Sequence, residues 1–155
     1  MGRLYRIHRR QRLPIENRAA WDFFSDCRNL SKITPAYLGF SFAGEPPESM
    51  YEGMIITYKI RPLLGIPVTW VTEITHVAEP SRFVDEQRFG PYRFWHHKHL
   101  FRPIPGGVEM EDIVDYSLPF GPLGRVTHAL LVRKKLEDIF DYREGTLRRM
   151  FGEIP

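Results

Sequence analysis

The side chains best able to do chemistry in this chain are His97 and His99, with Asp85, Asp112 and His76 on neighbouring segments. Residues two apart on an extended strand share a face. Each of these polar groups therefore stands among apolar partners: Trp95 and Phe101 beside the histidines, Phe83, Gln87 and Phe89 beside Asp85, Trp70 and Ile74 beside His76, Val114 and Tyr116 beside Asp112. Hairpin positions bring the segments together. A turn centred near Ile104-Pro105 sets His97 opposite Asp112 and Trp95 opposite Val114. A turn at Glu79 to Arg82 sets His76 opposite Asp85, and one across Gly90-Pro91 sets Asp85 opposite His97. The expectation is a row of His76, Asp85, His97 and Asp112, with His99 beside it. A slip of one residue would turn every member to the other face. The apolar set Ile56, Tyr58, Trp70, Ile74, Phe83, Phe89, Trp95, Phe101, Val114 and Leu118 decides which face is inside.

A carboxylate buried among rings is costly unless paired, and imidazole is a suitable partner near neutral pH. Asp85 and Asp112 are expected to flank His97, orienting its ring and holding one carboxylate charged. Four uses of such a row stay open. It could be a self-satisfied set of polar groups that fixes strand register. It could bond a carbonyl or hydroxyl of a mostly apolar guest, the binding set then being Tyr58, Trp70, His76, Asp85, Gln87, Trp95, His97, His99, Asp112 and Tyr116. It could do acid–base catalysis, with His97 as proton shuttle and Asp85 or Asp112 as its partner. It could hold a metal through His97, His99 and an aspartate, although no matching third-ligand motif accompanies the two histidines. No metal and no cofactor is assigned on these grounds.

The elements that must position these residues follow from periodicity. Leu4 to Leu13 alternates like a strand. Pro14 suits the first turn of a helix, Ile15 to Ser25 reads as that helix, and Asp26 to Lys32 as a second short one. Strand alternation then runs through Met54–Arg61, Val68–Val77, Phe83–Phe89, Trp95–Phe101 and Glu109–Leu118, with turn-rich joints between, so the sheet is expected to be an antiparallel meander. After Pro119-Phe120-Gly121-Pro122 the period becomes helical, with a stripe of Leu123, Val126, Leu130, Arg133, Leu136, Phe140, Leu147 and Met150. One amphipathic helix of roughly 40 Å can cover the apolar face of such a sheet. The fold class is therefore α+β, a curved antiparallel sheet wrapped around a long C-terminal helix, with two short helices after the first strand.

Composition narrows the function classes. The 155 residues fit one domain, 1–155, with a core large enough to contain a pocket. The 22 Lys and Arg against 19 acidic residues leave a formal charge of +3 with mixed signs, which does not indicate a nucleic-acid partner. Cys27 is the only cysteine, so an internal disulfide and a cysteine-rich zinc module are both excluded. Gly2 to Leu13 is basic and interrupted, unlike a signal peptide, and no run approaches the about 18 apolar residues of a membrane span. A cytoplasmic location is expected, without integral membrane association. Arg3, Arg6, Arg9, Arg10 and Arg12 make a basic strip that reads as a solvated edge strand or as a transient contact with anionic headgroups. Gly121-Pro122-Leu123-Gly124 reads as a strand-to-helix turn, since no Lys-Ser/Thr follows it as in a phosphate-binding loop.

Several segments resemble the SRPBCC ligand-binding superfamily, the START-like, polyketide cyclase/dehydrase group with a helix-grip fold. They are Ala20-Trp21-Asp22-Phe23-Phe24-Ser25-Asp26, Leu30-Ser31-Lys32-Ile33-Thr34-Pro35, the stretch from Phe89-Gly90-Pro91-Tyr92 to His99, and Asp115-Tyr116-Ser117-Leu118-Pro119-Phe120-Gly121. The resemblance spans nearly the whole chain. It implies an elongated cavity between sheet and C-terminal helix that takes a lipid, quinone, polyketide or other small hydrophobic molecule. Fold alone does not choose among binders, transporters and cyclases. The expected function is binding of a small hydrophobic or amphipathic ligand. One alternative is a cyclase- or dehydrase-like enzyme using the His/Asp row, and another is a protein-interaction module whose cavity is filled by its own rings. Gly39 to Met50 and Pro62 to Pro67 are the loops expected to rim an entrance.

Overall fold

The alternating segments pair in chain order, and the computed structural model describes the result for residues 2–62 and 64–155. Strand β1 (Tyr5–Leu13) leads into helix α1 (Asn17–Ser25) and two 3-10 helices, Cys27–Ile33 and Ala36–Leu38. The strands β2 (Ser41–Phe42), β3 (Ile55–Ile60), β4 (Val68–Ala78), β5 (Arg82–Phe89), β6 (Phe94–Ile104) and β7 (Gly107–Ser117) follow. They form one seven-stranded antiparallel sheet in the order β1-β7-β6-β5-β4-β3-β2. The chain ends in a helix running from α2 (Gly121–Thr127) through a π-helical segment (His128–Val132) into α3 (Arg133–Phe151). This is the helix-grip architecture. Helix α1 begins two residues later than the sequence suggests, with Pro14 ahead of it and Glu16 still extended. It buries Ala20, Trp21 and Phe24.

Register across β5 and β6 is as expected, with Asp85 opposite His97. Across β6 and β7 it is displaced by two residues. The turn is the two-residue Pro105-Gly106, not one centred on Ile104-Pro105, so His97 faces Val114, His99 faces Asp112 and Trp95 faces Tyr116. An even displacement keeps every side chain on its expected face and changes only its partner.

Two expectations fail at irregularities. A bulge falls between Ile74 and His76, where β4 slips against β5. Such an extra residue exchanges the faces beyond it, so Val77 turns inward onto the core and His76 is exposed to solvent. The second irregularity sits opposite Val71 and Thr72, and past it Phe89 is 72% exposed rather than part of the concave wall.

The C-terminal helix also departs from the expected stripe. Leu123 and Leu130 are 66% and 71% exposed, and Val126 and Arg133 are exposed too. The buried positions are Gly124, His128, Val132, Leu136, Phe140, Arg143, Thr146 and Leu147. From Gly124 to Phe140 they recur every four residues, wider than the 3.6 of an α-helix. The wider π turn inside this stretch lets that spacing stay on one face. Among the described residues, no helix is long and apolar enough to cross a membrane.

Candidate functional site

A cavity of about 410 Å³ lies between the concave face of the sheet and the C-terminal helix. Its walls draw on three parts of the core: Phe24 and Phe83 at one end, Val132, Leu136 and Phe140 under the helix, and Ile56 and Ile74 on β3 and β4. The rings line this space and do not fill it. Leu38, Phe40, Met50 and Pro62 border it, so parts of both expected rim loops take part; Leu63, within the second, lies outside the described residues. The helix side adds Phe120, Thr127 and Lys135.

On the wall, Tyr58, Trp70 and Trp95 form a stepped aromatic surface. Tyr58 stacks on Trp70 at 5.9 Å, and Trp70 meets Trp95 edge-on at 5.2 Å. The Tyr58 hydroxyl lies 3.3 Å from the Thr72 hydroxyl, and burial pushes its pKa upward. Trp70 is buried with its indole N–H unpaired among the described residues.

Asp85, His97 and His99 stand together on the same wall, and Asp112 lies directly behind them. The pairing is crossed. Asp85, opposite His97 in register, accepts from His99 Nε2 at 2.6 Å, while Asp112, opposite His99, lies 2.7 Å from His97 Nε2. The uncrossed distances are longer: His97 Nδ1 to Asp85 Oδ2 is 3.6 Å and His99 Nδ1 to Asp112 Oδ1 is 3.4 Å. The two imidazoles stack between the carboxylates, centroids 3.7 Å apart and planes inclined by 28°. Phe83 stacks on His99 at 4.0 Å, and Phe140 closes over His97. The two carboxylates thus orient both rings, not His97 alone.

Arg143, unforeseen in the sequence, completes the cluster. It is buried on α3, reaches Asp112 with Nη2 at 3.3 Å, and lies over the rings of Phe24 and Phe140. Burial opposes the charge on Asp112, but Arg143, His97 and His99 outweigh it and hold this carboxyl well below the usual range. Asp85 is likewise lowered: burial raises it, and His97 and His99 more than offset that. The two imidazoles part. Burial and the neighbouring His99 push His97 downward against its two aspartates, while for His99 the aspartates outweigh burial and push it upward.

The remaining expected residues lie elsewhere. His76 is on the solvent side of β4, carried out by the bulge. Gln87 clasps the β5–β6 turn, donating to the Tyr92 carbonyl at 2.7 Å and accepting from its N–H at 3.2 Å. Tyr116 is fully buried behind the wall, its hydroxyl 2.7 Å from His128 Nε2. The basic strip is largely neutralised inside the protein. Arg6 pairs with Asp115, Arg10 with Glu111 and Arg12 with Glu109 across β1 and β7, and Arg9 reaches Asp141 on α3.

No known family model matches the chain, and no curated protein matches it. Solved structures do match over nearly its full length. Protein CV1439 from Chromobacterium violaceum superposes with a TM-score of 0.69 at 12% identity, covering 97% of this chain and 98% of that one. Ginseng major latex-like protein 151 from Panax ginseng gives 0.68 at 10% identity, covering 99% and 100%. TTHA0849 from Thermus thermophilus gives 0.62 at 16% identity, covering 96% and 99%. At these identities the likeness is one of fold.

Proposed function

We propose that the protein binds a small, mostly apolar molecule with one polar end, of lipid, quinone or polyketide kind, inside the cavity between sheet and helix. The observation that carries this reading is an open cavity of about 410 Å³ with an aromatic and aliphatic wall and one polar corner. That volume falls within the range of small-molecule sites, roughly 300 to 1,000 Å³. The anatomy is also theirs, an apolar lining with few convergent polar groups. The unpaired N–H of Trp70 and the His97/His99 corner favour a guest with a carbonyl or hydroxyl, because a buried donor without an acceptor is costly.

The test is competition against a hydrophobic fluorescent dye, on protein stripped of metal by chelation. Naphthoquinones and medium-chain alcohols are expected to displace the dye, and hydrocarbons of equal size to do so roughly tenfold more weakly, one good hydrogen bond's worth. His97→Leu is expected to narrow that gap while sparing hydrocarbon binding. Displacement by none of these molecules, from protein that melts cooperatively, would overturn the reading.

A further inference from the structure

We propose that Asp85, His97 and His99 form a binding site for a first-row divalent metal ion, with Asp112 as the carboxylate that positions both histidines. One donor atom from each of the three residues lies within 4.8 Å of the other two. Around an ion with bonds of about 2.0–2.2 Å, ligand atoms sit about 3.3 Å apart. The observed 2.6 Å from His99 Nε2 to Asp85 Oδ2 and 3.6 Å from His97 Nδ1 to the same oxygen bracket that separation. The rings are inclined by only 28°, so aiming both lone pairs at one ion requires them to rotate against Phe83 and Phe140.

The accounting of ring nitrogens points the same way. His97 Nε2 is hydrogen-bonded to the Asp112 carboxylate at 2.7 Å and so carries the proton. Its Nδ1 lone pair then faces the Asp85 carboxylate with no hydrogen between them, an arrangement that a cation relieves. His99 Nδ1 is buried and unpaired among the described residues, although Asp112 Oδ1 is 3.4 Å away. With Nε2 on a metal, the His99 proton resides on Nδ1 and is donated to Asp112. Each histidine then offers one nitrogen to the ion and the other to a single orienting carboxylate, as in carboxylate–histidine–metal arrangements. Arg143 steadies that carboxylate from the helix.

Charge agrees. Asp85 and Asp112 bring two negative charges into a buried cluster where Arg143 is the one fixed positive charge, so the second carboxylate calls for either a proton on the histidines or a cation between them. Two imidazoles and one carboxylate suit zinc, iron(II) or cobalt(II) and not calcium or magnesium. Three protein ligands leave positions open toward the cavity, where water or the oxygen of a guest can complete the coordination.

The test uses the full chain without an affinity tag, stripped with chelator and titrated with Zn²⁺ by calorimetry and with Co²⁺ by visible absorption. One equivalent is expected, with the stronger visible bands of four- or five-coordinate Co²⁺. Asp85→Asn and His99→Ala should each weaken binding by roughly 100-fold or more, and Asp112→Asn by about 10- to 100-fold. His76→Ala, on the exposed side of β4, should leave it unchanged. Should a variant fail to fold, Co²⁺ broadening of imidazole NMR signals in the native chain decides instead: His97 and His99 are lost first, His128 later. Absence of stoichiometric uptake by the folded chain, or uptake that survives in Asp85→Asn, overturns the proposal. The dye competition above is run on metal-free protein, so the ligand reading and the metal reading fail separately.

Discussion

At the residue scale, Arg143 is the fixed positive charge that offsets one of the two buried carboxylates. Its guanidinium sits among Phe24 and Phe140, 3.3 Å from Asp112, and gives that carboxylate its cationic neighbour on the helix side. Removing one member of a buried ion pair leaves the other charge uncompensated, at a cost of about 3–5 kcal/mol, whereas removing both together is much milder. In urea unfolding of metal-free protein, Arg143→Met is therefore expected to lose about 3 kcal/mol, and Asp112→Asn with Arg143→Met to recover most of it. Strict additivity of the two substitutions would show that the pair is not coupled. The histidines and aspartates were legible in the sequence because alternation places each among large rings, and the Gly90-Pro91 turn sets Asp85 against His97. Arg143 was not, since it stands in a run of charged residues. Its signal is phase: it lies three residues after Phe140 and four before Leu147, both buried on the same helix face. Gln87 shows the converse, a polar group on an inward-reading strand that is consumed by its own turn.

At the element scale, the π-helical segment explains both a misread stripe and a pH dependence. It turns His128 inward, where Tyr5 stacks on it at 3.5 Å and the Tyr116 hydroxyl is hydrogen-bonded to Nε2 at 2.7 Å. Burial, then the nearby Arg133 and Arg3, push the His128 pKa down. The folded state with neutral His128 binds fewer protons than the unfolded chain. Its contribution to stability is complete above the unfolded value of about 6.5 and declines as pH falls below it toward the folded value. His128→Gln keeps an acceptor for Tyr116 and does not titrate. The stability advantage of the native chain over His128→Gln is thus expected to shrink between about pH 7.5 and about pH 5.5 in urea unfolding; a constant difference would rule out this titration. The β6–β7 hairpin offers a steric test. A Cβ on Gly107 would collide with the Leu13 backbone oxygen of the paired β1, while one on Gly106 meets open space. Gly107→Ala is expected to cost about 2–3 kcal/mol. Gly106→Asn, at φ +80°, should cost less than about 1 kcal/mol because Asn tolerates that region. Strands were readable from their period of two, but the bulge between Ile74 and His76 was not. Ile74, Thr75, His76 and Val77 suit a strand in either phase, so nothing in their types marks where parity changes.

At the scale of the molecule, the layout of a sheet closed over one helix was legible because five alternating segments joined by short turns admit few topologies. Whether the aromatic interior was full or open was not, since that depends on how far sheet and helix stand apart, which no residue pattern encodes. The open cavity has a thermodynamic consequence. It touches all three parts of the core, so the groups that would otherwise pack against one another face a space of about 410 Å³. A guest that binds only the folded chain stabilises it by about 2.7 kcal/mol at a free concentration of 100 times its Kd. For a domain of this length, each kcal/mol raises Tm by about 2–4 °C, so a saturating guest should raise Tm by about 5–10 °C. Thr72 lies on the cavity wall, opposite Ile56 and two residues along β4 from Trp70, buried, with a 3.3 Å contact to the Tyr58 hydroxyl. Thr72→Leu adds apolar volume there and removes a hydroxyl. The substitution is expected to raise the Tm of the unliganded chain by a few degrees and to reduce the shift produced by the guest, both read by calorimetry. A lower unliganded Tm together with an undiminished guest shift would place the guest outside this cavity.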